Sequence, residues 1–333
     1  MMVVIATMTM VAIANDDDGR YGNDDGGVAR MVEDRSTVEV DGRRLSVSNL
    51  DKVLYPSAGF TKGEIIDYYA RIAPVLLPHL SDRPASFIRY PNGVETKGFF
   101  AKNAPKGTPS WVRTVRLPAP GSSMDREELD YVVVDALPTL VWLANLAAIE
   151  MHVPQWKVGP RGAVRDPDLL VVDLDPGAPA DVLACAQVAV LVREYLSAHG
   201  LSSFAKTSGS KGMQVYAPIT PATDRRTSDY AHEMAKVLEK AQPKLVLSRM
   251  AKNLRSGKVF VDWSQNNGAK TTVAPYSLRA REQPWVSTPL TWDEVAGARR
   301  PGDLQFVAGD VLDRVTDLGD LFEPLLTKGP VLP

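Results

Sequence analysis

The chain has 333 residues, 44% hydrophobic and 23% charged, the composition of a globular protein with enough apolar mass for one large or two modest domains. One cysteine, Cys185, excludes an intrachain disulfide framework and a cysteine-rich zinc site, and four histidines leave metal chemistry to carboxylates, which favours hard cations such as Mg²⁺ or Mn²⁺. The net charge of −2 conceals acidic ends: residues 1 to 36 carry seven acids and three bases, and residues 301 to 333 carry six and two, so the body between them is basic by six charges. That balance permits a polyanionic partner without requiring one.

Met1 to Ala14 is apolar but too short to span a bilayer, and it lacks the basic start of a secretory signal. Asn15 to Gly27 is rich in Gly and Asp. Residues 1–36 are therefore expected to be a flexible acidic leader, and residues 37–333 a single folded domain. Thr37 to Ser48 alternates around Asp41-Gly42, a hairpin signal. Thr61 and Glu64 have capping-box spacing ahead of the stripe Ile65, Ile66, Tyr69, Ile72 and Ala73, which predicts a helix.

Phe87 to Tyr90 reads as a strand ending in the turn Pro91-Asn92-Gly93. Val112 to Leu117 and Tyr131 to Val134 read as strands joined by the loop Pro118 to Glu128, and Leu137 to Ile149 as a buried helix. Helices are also predicted over Asp181 to His199 and Ser228 to Gln242. Phe204 to Ile219 reads as two strands around a glycine-rich turn, and Val259 to Trp263 as another strand. Strands and helices do not alternate strictly, so the fold class is α+β, with two mixed or antiparallel sheets flanked by helices.

Leu169 to Val172 is a short aliphatic strand that runs into Asp173, Leu174, Asp175 and the Pro176-Gly177 turn. Side chains two apart on a strand point the same way, so both carboxylates converge, and two like charges that close call for a cation or a shared proton. An Asp before Pro-Gly also serves simply as a turn former or cap. The same short pattern occurs in phosphatases with an aspartyl nucleophile and in metal-dependent sugar transferases. In Thr207 to Tyr216, the small residues Ser208, Gly209, Ser210 and Gly212 surround Lys211 just before a strand, which suits close approach of backbone N–H groups and an ammonium to an anion. A purely structural glycine turn is the alternative. It is not a Walker loop, whose lysine opens a helix. Asp262 ends a second hydrophobic strand; an acid there is often merely solvated, but with Asp173 and Asp175 it completes a set of carboxylates for two-metal phosphoryl transfer.

These residues together resemble a known family. The order Asp-x-Asp at Asp173 and Asp175, Ser-Gly-x-Lys-Gly at Ser208 to Gly212, then the strand-borne Asp262 resembles the archaeo-eukaryotic primase superfamily, and Asp173 to Gly177, Val261 to Asn266 and Gly98 to Pro105 are more closely similar to the polymerase domain of bacterial ligase D. The resemblance covers about residues 37 to 330, and a free-standing chain of this kind is similar to the mycobacterial primase-polymerases that fill short gaps. It implies that Asp173, Asp175 and Asp262 are catalytic and bind two Mn²⁺ or Mg²⁺ ions. It further implies that Ser208, Lys211 and Arg279 contact the triphosphate of an NTP or dNTP, with His152 and Gln265 near the sugar or phosphates. The resemblance also makes Gln214 a nucleotide-binding residue; the family commonly has His at this triphosphate position, whereas Gln hydrogen-bonds without carrying charge.

For DNA, the resemblance implies that Asn49, Lys52 and Lys62 hold the 5′-phosphate across a gap and that Phe99 and Phe100 stack on the template. A cation in the first turn of the helix opened by Thr61 opposes the dipole, which independently favours an anion at Lys62; Lys52 could equally be an exposed lysine without a role, and one of the adjacent phenylalanines could belong to the core. The implied activity is a template-dependent repair polymerase that prefers ribonucleotides and serves gap filling or non-homologous end joining in the bacterial cytoplasm at the nucleoid. No membrane is implied, and gapped or broken DNA is the partner. No Lys-x-Asp-Gly ligase signature or His-rich nuclease segment occurs, so a ligase and other repair factors are expected in trans. The rival from another class is a non-catalytic module that binds DNA ends and recruits a ligase.

Overall fold

The structure is a computed structural model that describes residues 35–118 and 127–333. The leader expected over residues 1–36 falls outside it as far as residue 34, as does the loop over 119–126. Asp41 and Gly42 both adopt left-handed backbone, with φ of 46° and 73°, and fold β1 (Arg35–Val40) onto β2 (Arg43–Ser48) through the predicted hairpin. A small ribbon of β3 (Val53–Tyr55) and β4 (Phe60–Thr61) leads into α1 (Lys62–Leu80). The capping box is present: the Thr61 hydroxyl accepts from the Glu64 amide at 3.2 Å, and the Glu64 carboxylate accepts from the Thr61 amide at 2.7 Å. The buried side of α1 carries Ile65, Ile66, Tyr69, Ile72 and Ala73, as the spacing predicts.

β5 (Pro84–Arg89), β6 (Phe99–Ala101), β7 (Thr114–Pro118) and β8 (Glu128–Val133) follow, then α2 (Leu137–Asn145). This helix is shorter than the predicted Leu137 to Ile149. Ala147 turns the chain in left-handed conformation (φ 57°), and Ala148–Val153 is a strand, β9. A short apolar run fits a buried helix and a buried strand alike, and a non-glycine residue in the left-handed region leaves no breaker in the sequence.

The second half contains β10 (Leu169–Pro176), α3 (Val182–Ala198), β11 (Phe204–Thr207), β12 (Met213–Pro218), α4 (Asp224–Ala241), β13 (Val246–Leu247) and β14 (Val259–Asp262). It closes with β15 (Thr272–Val273), β16 (Pro289–Leu290), α5 (Trp292–Gly297) and α6 (Ala308–Leu318). Helix α4 begins four residues before the predicted start, where the Thr223 hydroxyl caps it by accepting from the Arg226 amide.

Two six-stranded sheets carry the fold, which confirms the α+β reading. One runs β15-β9-β5-β8-β7 with β6 also on β5; the other runs β13-β14-β10-β12-β11-β16 and is mixed, because only β13 and β14 pair in parallel. Period-2 alternation divides the faces of the second sheet. Leu170, Val172 and Leu174, with Met213, Val215, Val259 and Val261, face the core shared with α3 and α4. Asp173, Gln214, Lys206 and Asp262 occupy the opposite face, at alternate positions of their strands. Around the first sheet, α1 and α2 supply the other large core. No helix among the described residues is long and apolar enough to cross a membrane.

Thr61→Ala removes one half of the α1 capping box and should cost about 1 kcal/mol of stability, which is read as a lower midpoint in urea denaturation without a change of slope.

Candidate active site

Register brings the acids together. Asp173 on β10 stands opposite Asp262 on β14, and Asp175 lies two residues further along β10. One carboxylate oxygen from each of the three lies within 4.8 Å of the others. Burial, then the charge of Asp175, push Asp173 above the usual carboxylate range, against the hydrogen bond from Gln214; burial and the charge of Asp262 do the same to Asp175. Three crowded, partly desolvated oxygen donors with no soft ligand among them fit a hard divalent cation.

The same row of the sheet continues from Asp173 to Gln214 on β12 and Lys206 on β11, each directly opposite the last. Gln214 Nε2 donates to Asp173 Oδ1 at 2.9 Å, and Lys206 Nζ donates to Gln214 Oε1 at 2.6 Å. Asp262 is held from the other side: the Ser264 amide reaches Oδ1 and Gln265 Nε2 reaches Oδ2, both at 3.1 Å, while Lys270 donates to the Ser264 hydroxyl that itself donates to Asp262. Arg255 packs over the Phe260 ring at 4.0 Å, with its guanidinium 3.9 Å from the Asp175 carboxylate. Sequence reasoning missed Lys206, Lys270 and Arg255. Only Lys206 left a signal, a lysine at a pleat position inside the short strand Phe204–Thr207.

Beside the acids, the Ser208 side chain closes the glycine-rich turn by accepting from the amides of Ser210 and Gly212 at 3.3 and 3.2 Å. Gly209 is required twice over: its φ is 64°, and a Cβ there would sit 2.7 Å from Arg279 Cγ and 2.8 Å from the Val286 backbone. Lys211 is exposed on a cavity of about 440 Å³, lined also by Gly209, Ser210, Arg281 and Trp285. Arg279 donates to the Ser208 carbonyl at 2.7 Å, and its Nε lies 3.2 Å from the buried Glu150 carboxylate. Burial pushes Glu150 up, but the His152 hydrogen bond and the Arg279 charge outweigh it and bring it down to about 2. Burial wins at His152 and lowers it despite Glu150, so at neutral pH its neutral ring donates from Nε2 to Glu150, 3.0 Å away, and Arg279 supplies the positive charge. Glu150 went unread because its strand was expected to be a helix that stopped short of it.

Phe99 and Phe100 are both exposed, at 44% and 49%, so neither belongs to the core. Arg89 lies over the Phe99 ring at 5.0 Å, and Phe100 packs edge-on toward His152 at 6.1 Å. Asn49, Lys52 and Lys62 meet where β2 turns into α1: the Lys52 amide donates to the Asn49 carbonyl at 3.1 Å, and the Lys62 amide to the Lys52 carbonyl at 2.9 Å. Asn49 takes left-handed backbone (φ 53°) and Lys52 is exposed. Lys62 is 6% exposed, with its ammonium donating to the Ser48 carbonyl; the cation at the helix start is thus offset by a backbone oxygen.

Three clustered acids and a glycine-held lysine loop on one sheet, in a fold of two sheets backed by helices, have the form of a primase-polymerase catalytic core, a nucleotidyltransferase class. Residues 61–322 match the family model described as LigD, primase-polymerase domain, and the chain belongs to that family. It is 42% identical to the multifunctional non-homologous end joining protein LigD of Mycolicibacterium smegmatis, over 86% of this chain and 37% of the relative, and 33% identical to the bifunctional LigD of Bacillus subtilis, over 83% and 43%. The chain therefore spans less than half the length of these curated relatives. Among solved structures it superposes on the polymerase domain of Mycobacterium tuberculosis ligase D in complex with DNA, with a TM-score of 0.79, 43% identity, and coverage of 85% of this chain and 98% of that one.

A carboxylate whose value is raised by folding opposes the folded state at every pH above the ordinary carboxylate range. Asp173→Asn should therefore raise the melting midpoint of metal-free protein at neutral pH by about 1–3 °C. Added Mn²⁺ should stabilise the parent chain and leave the variant nearly unmoved; calorimetric melts with and without the ion read both effects.

Proposed function

We propose that this chain is a template-dependent DNA repair polymerase that fills short gaps or processes broken ends. In this reading it prefers ribonucleotides, recognises a downstream 5′-phosphate, and works in the bacterial cytoplasm, at the nucleoid, together with a DNA ligase activity. The observation that carries the reading is the register of β10 against β14, which assembles Asp173, Asp175 and Asp262 into one acidic site. The relatives named for non-homologous end joining and the DNA-bound structural neighbour support it.

Asp173, Asp175 and Asp262 hold the cations. When bound, two Mn²⁺ or Mg²⁺ ions supply activation of a primer 3′-hydroxyl and neutralisation of the charge that develops on the transferred phosphate and leaving pyrophosphate. Lys211 and the backbone N–H groups around it receive the triphosphate, with Ser208 shaping the turn and Arg279 steadying it from the far side. His152, fixed by Glu150, and Gln265, fixed on Asp262, border the nucleotide. Phe99 and Phe100 present half-exposed rings to template bases, and such stacking contributes about 1–3 kcal/mol per base. Lys52 and Asn49, at the start of α1 with Lys62 beneath them, take the 5′-phosphate.

Primer extension on gapped duplexes of graded length, with and without a 5′-phosphate and with NTPs or dNTPs, tests the reading. Asp173→Asn and Asp175→Asn should each lower extension on the order of a thousandfold, about 4 kcal/mol of transition-state stabilisation, while gapped-duplex binding persists. Wild-type extension by either variant would sink the mechanism and favour a recruiting module. Lys52→Ala should abolish the preference for the phosphorylated gap and leave extension on an open template within about threefold. Phe100→Ala should weaken gapped-DNA binding about tenfold, measured by fluorescence anisotropy.

A further inference from the structure

Lys206 touches none of the chemistry above, yet it is 0% exposed. Taking an ammonium out of water costs several kcal/mol, and burial holds Lys206 well below the usual lysine range, so its partners have to account for its place. Nζ donates to Gln214 Oε1 at 2.6 Å and to Ser287 Oγ at 2.5 Å, and lies 5.7 Å from the centre of the Tyr216 ring. The Ser287 hydroxyl is itself directed, donating to the Thr207 carbonyl at 3.0 Å. The lysine is thus clamped on one side and acts on the Gln214 amide on the other.

A glutamine amide has an accepting end and a donating end that interchange by a half-turn of its last bond. Lys206 Nζ, anchored on the Ser287 hydroxyl that is itself committed to Thr207, meets Gln214 as a donor, and Asp173 with a cation bound offers only lone pairs. Between Lys206 and Asp173 a single orientation satisfies both neighbours, with the oxygen toward the lysine and the nitrogen toward the carboxylate. The Tyr216 hydroxyl lies 3.4 Å from the same oxygen, but its one hydrogen goes to Thr272 Oγ1 at 2.8 Å, which leaves the lysine as the donor that holds the amide. With the lysine gone, the amide is free to turn and set lone pair against lone pair at Asp173.

We propose that Lys206 is a positioning residue for the metal site: acting through Gln214, it pins one oxygen of Asp173 and leaves the other directed at the cation. The proposal rests on reading Asp173, Asp175 and Asp262 as the cation site of the polymerase. It extends that site from three acids to a five-residue assembly reaching β11, in the way that outlying hydrogen bonds orient metal ligands elsewhere.

Calorimetric titration of Mn²⁺ into the full chain, without nucleotide or DNA, is the test. The parent chain and Asp173→Asn come first: if the parent binds no Mn²⁺, or the variant binds as tightly, the polymerase reading itself fails. With the parent site established, Lys206→Met should weaken Mn²⁺ binding on the order of tenfold, Gln214→Met by the same factor, and the double variant by no more than either alone. Losses that multiply in the double variant overturn the proposal, because the lysine would then act other than through the amide. A Lys206→Met protein with parental affinity overturns it as well. If Lys206→Met does not fold, Gln214→Met decides alone: parental affinity there refutes the amide link, and a tenfold loss sustains it.

Discussion

Electrostatic crowding on one face of a buried sheet is the constraint to which the rest of the structure answers. Strand register, set by the aliphatic face that packs on α3 and α4, places Asp262, Asp173, Gln214 and Lys206 side by side on four neighbouring strands. A shift of one residue would turn the whole row into the core, so the packing of Val172, Val215 and Val261 and the position of the charges are a single decision. The arrangement opposes stability wherever the acids are ionised and uncompensated, and it persists because the hydrophobic face of the same strands fixes it. Function is seated where folding preference is strongest.

Around that row, polar side chains take up directional work that bare carboxylates cannot do. Gln214, Gln265 and Ser264 each place a donor on an acid, and Lys206 and Lys270 stand behind Gln214 and Ser264 in turn. Arg255 stands 3.9 Å from Asp175, whereas Lys206 and Lys270 are each one side chain removed from the acids. This keeps them from occupying the space a cation needs while still lowering the repulsion among the carboxylates.

Much of this was legible in the sequence, for identifiable reasons. The Asp41-Gly42 hairpin, the Thr61 and Glu64 cap and the strand ending in Asp173 and Asp175 are local signals, and local signals survive into the fold. The acids of the site and the loop around Lys211 were readable because their residue types are costly to place without purpose. Strand β9 was not readable, since its entry turns at Ala147 in a conformation that sequence marks only when glycine occupies it. With that strand went Glu150, and Lys206, although marked by its place inside a short strand, gave no sign of what it touches. Apart from His152, two residues along from Glu150, the partners of both are more than 70 residues away or on another strand, so their meaning exists only after pairing. Lys62 shows what a sequence argument leaves out: the dipole reasoning identified a charge in need of a negative partner, and in the fold its ammonium also donates to a carbonyl of the preceding hairpin.

The contact of Phe100 with His152, the hydrogen bond from His152 to Glu150, the pairing of Glu150 with Arg279 and the grip of Arg279 on Ser208 form one unbroken line of side chains from the exposed aromatic pair to the glycine-held loop. The line crosses from the first sheet to the second, so the separation between the exposed rings and the Ser208 loop is set by interlocked polar contacts instead of by a hinge. Such a span behaves as a ruler: a molecule that touches both ends has to have the right length.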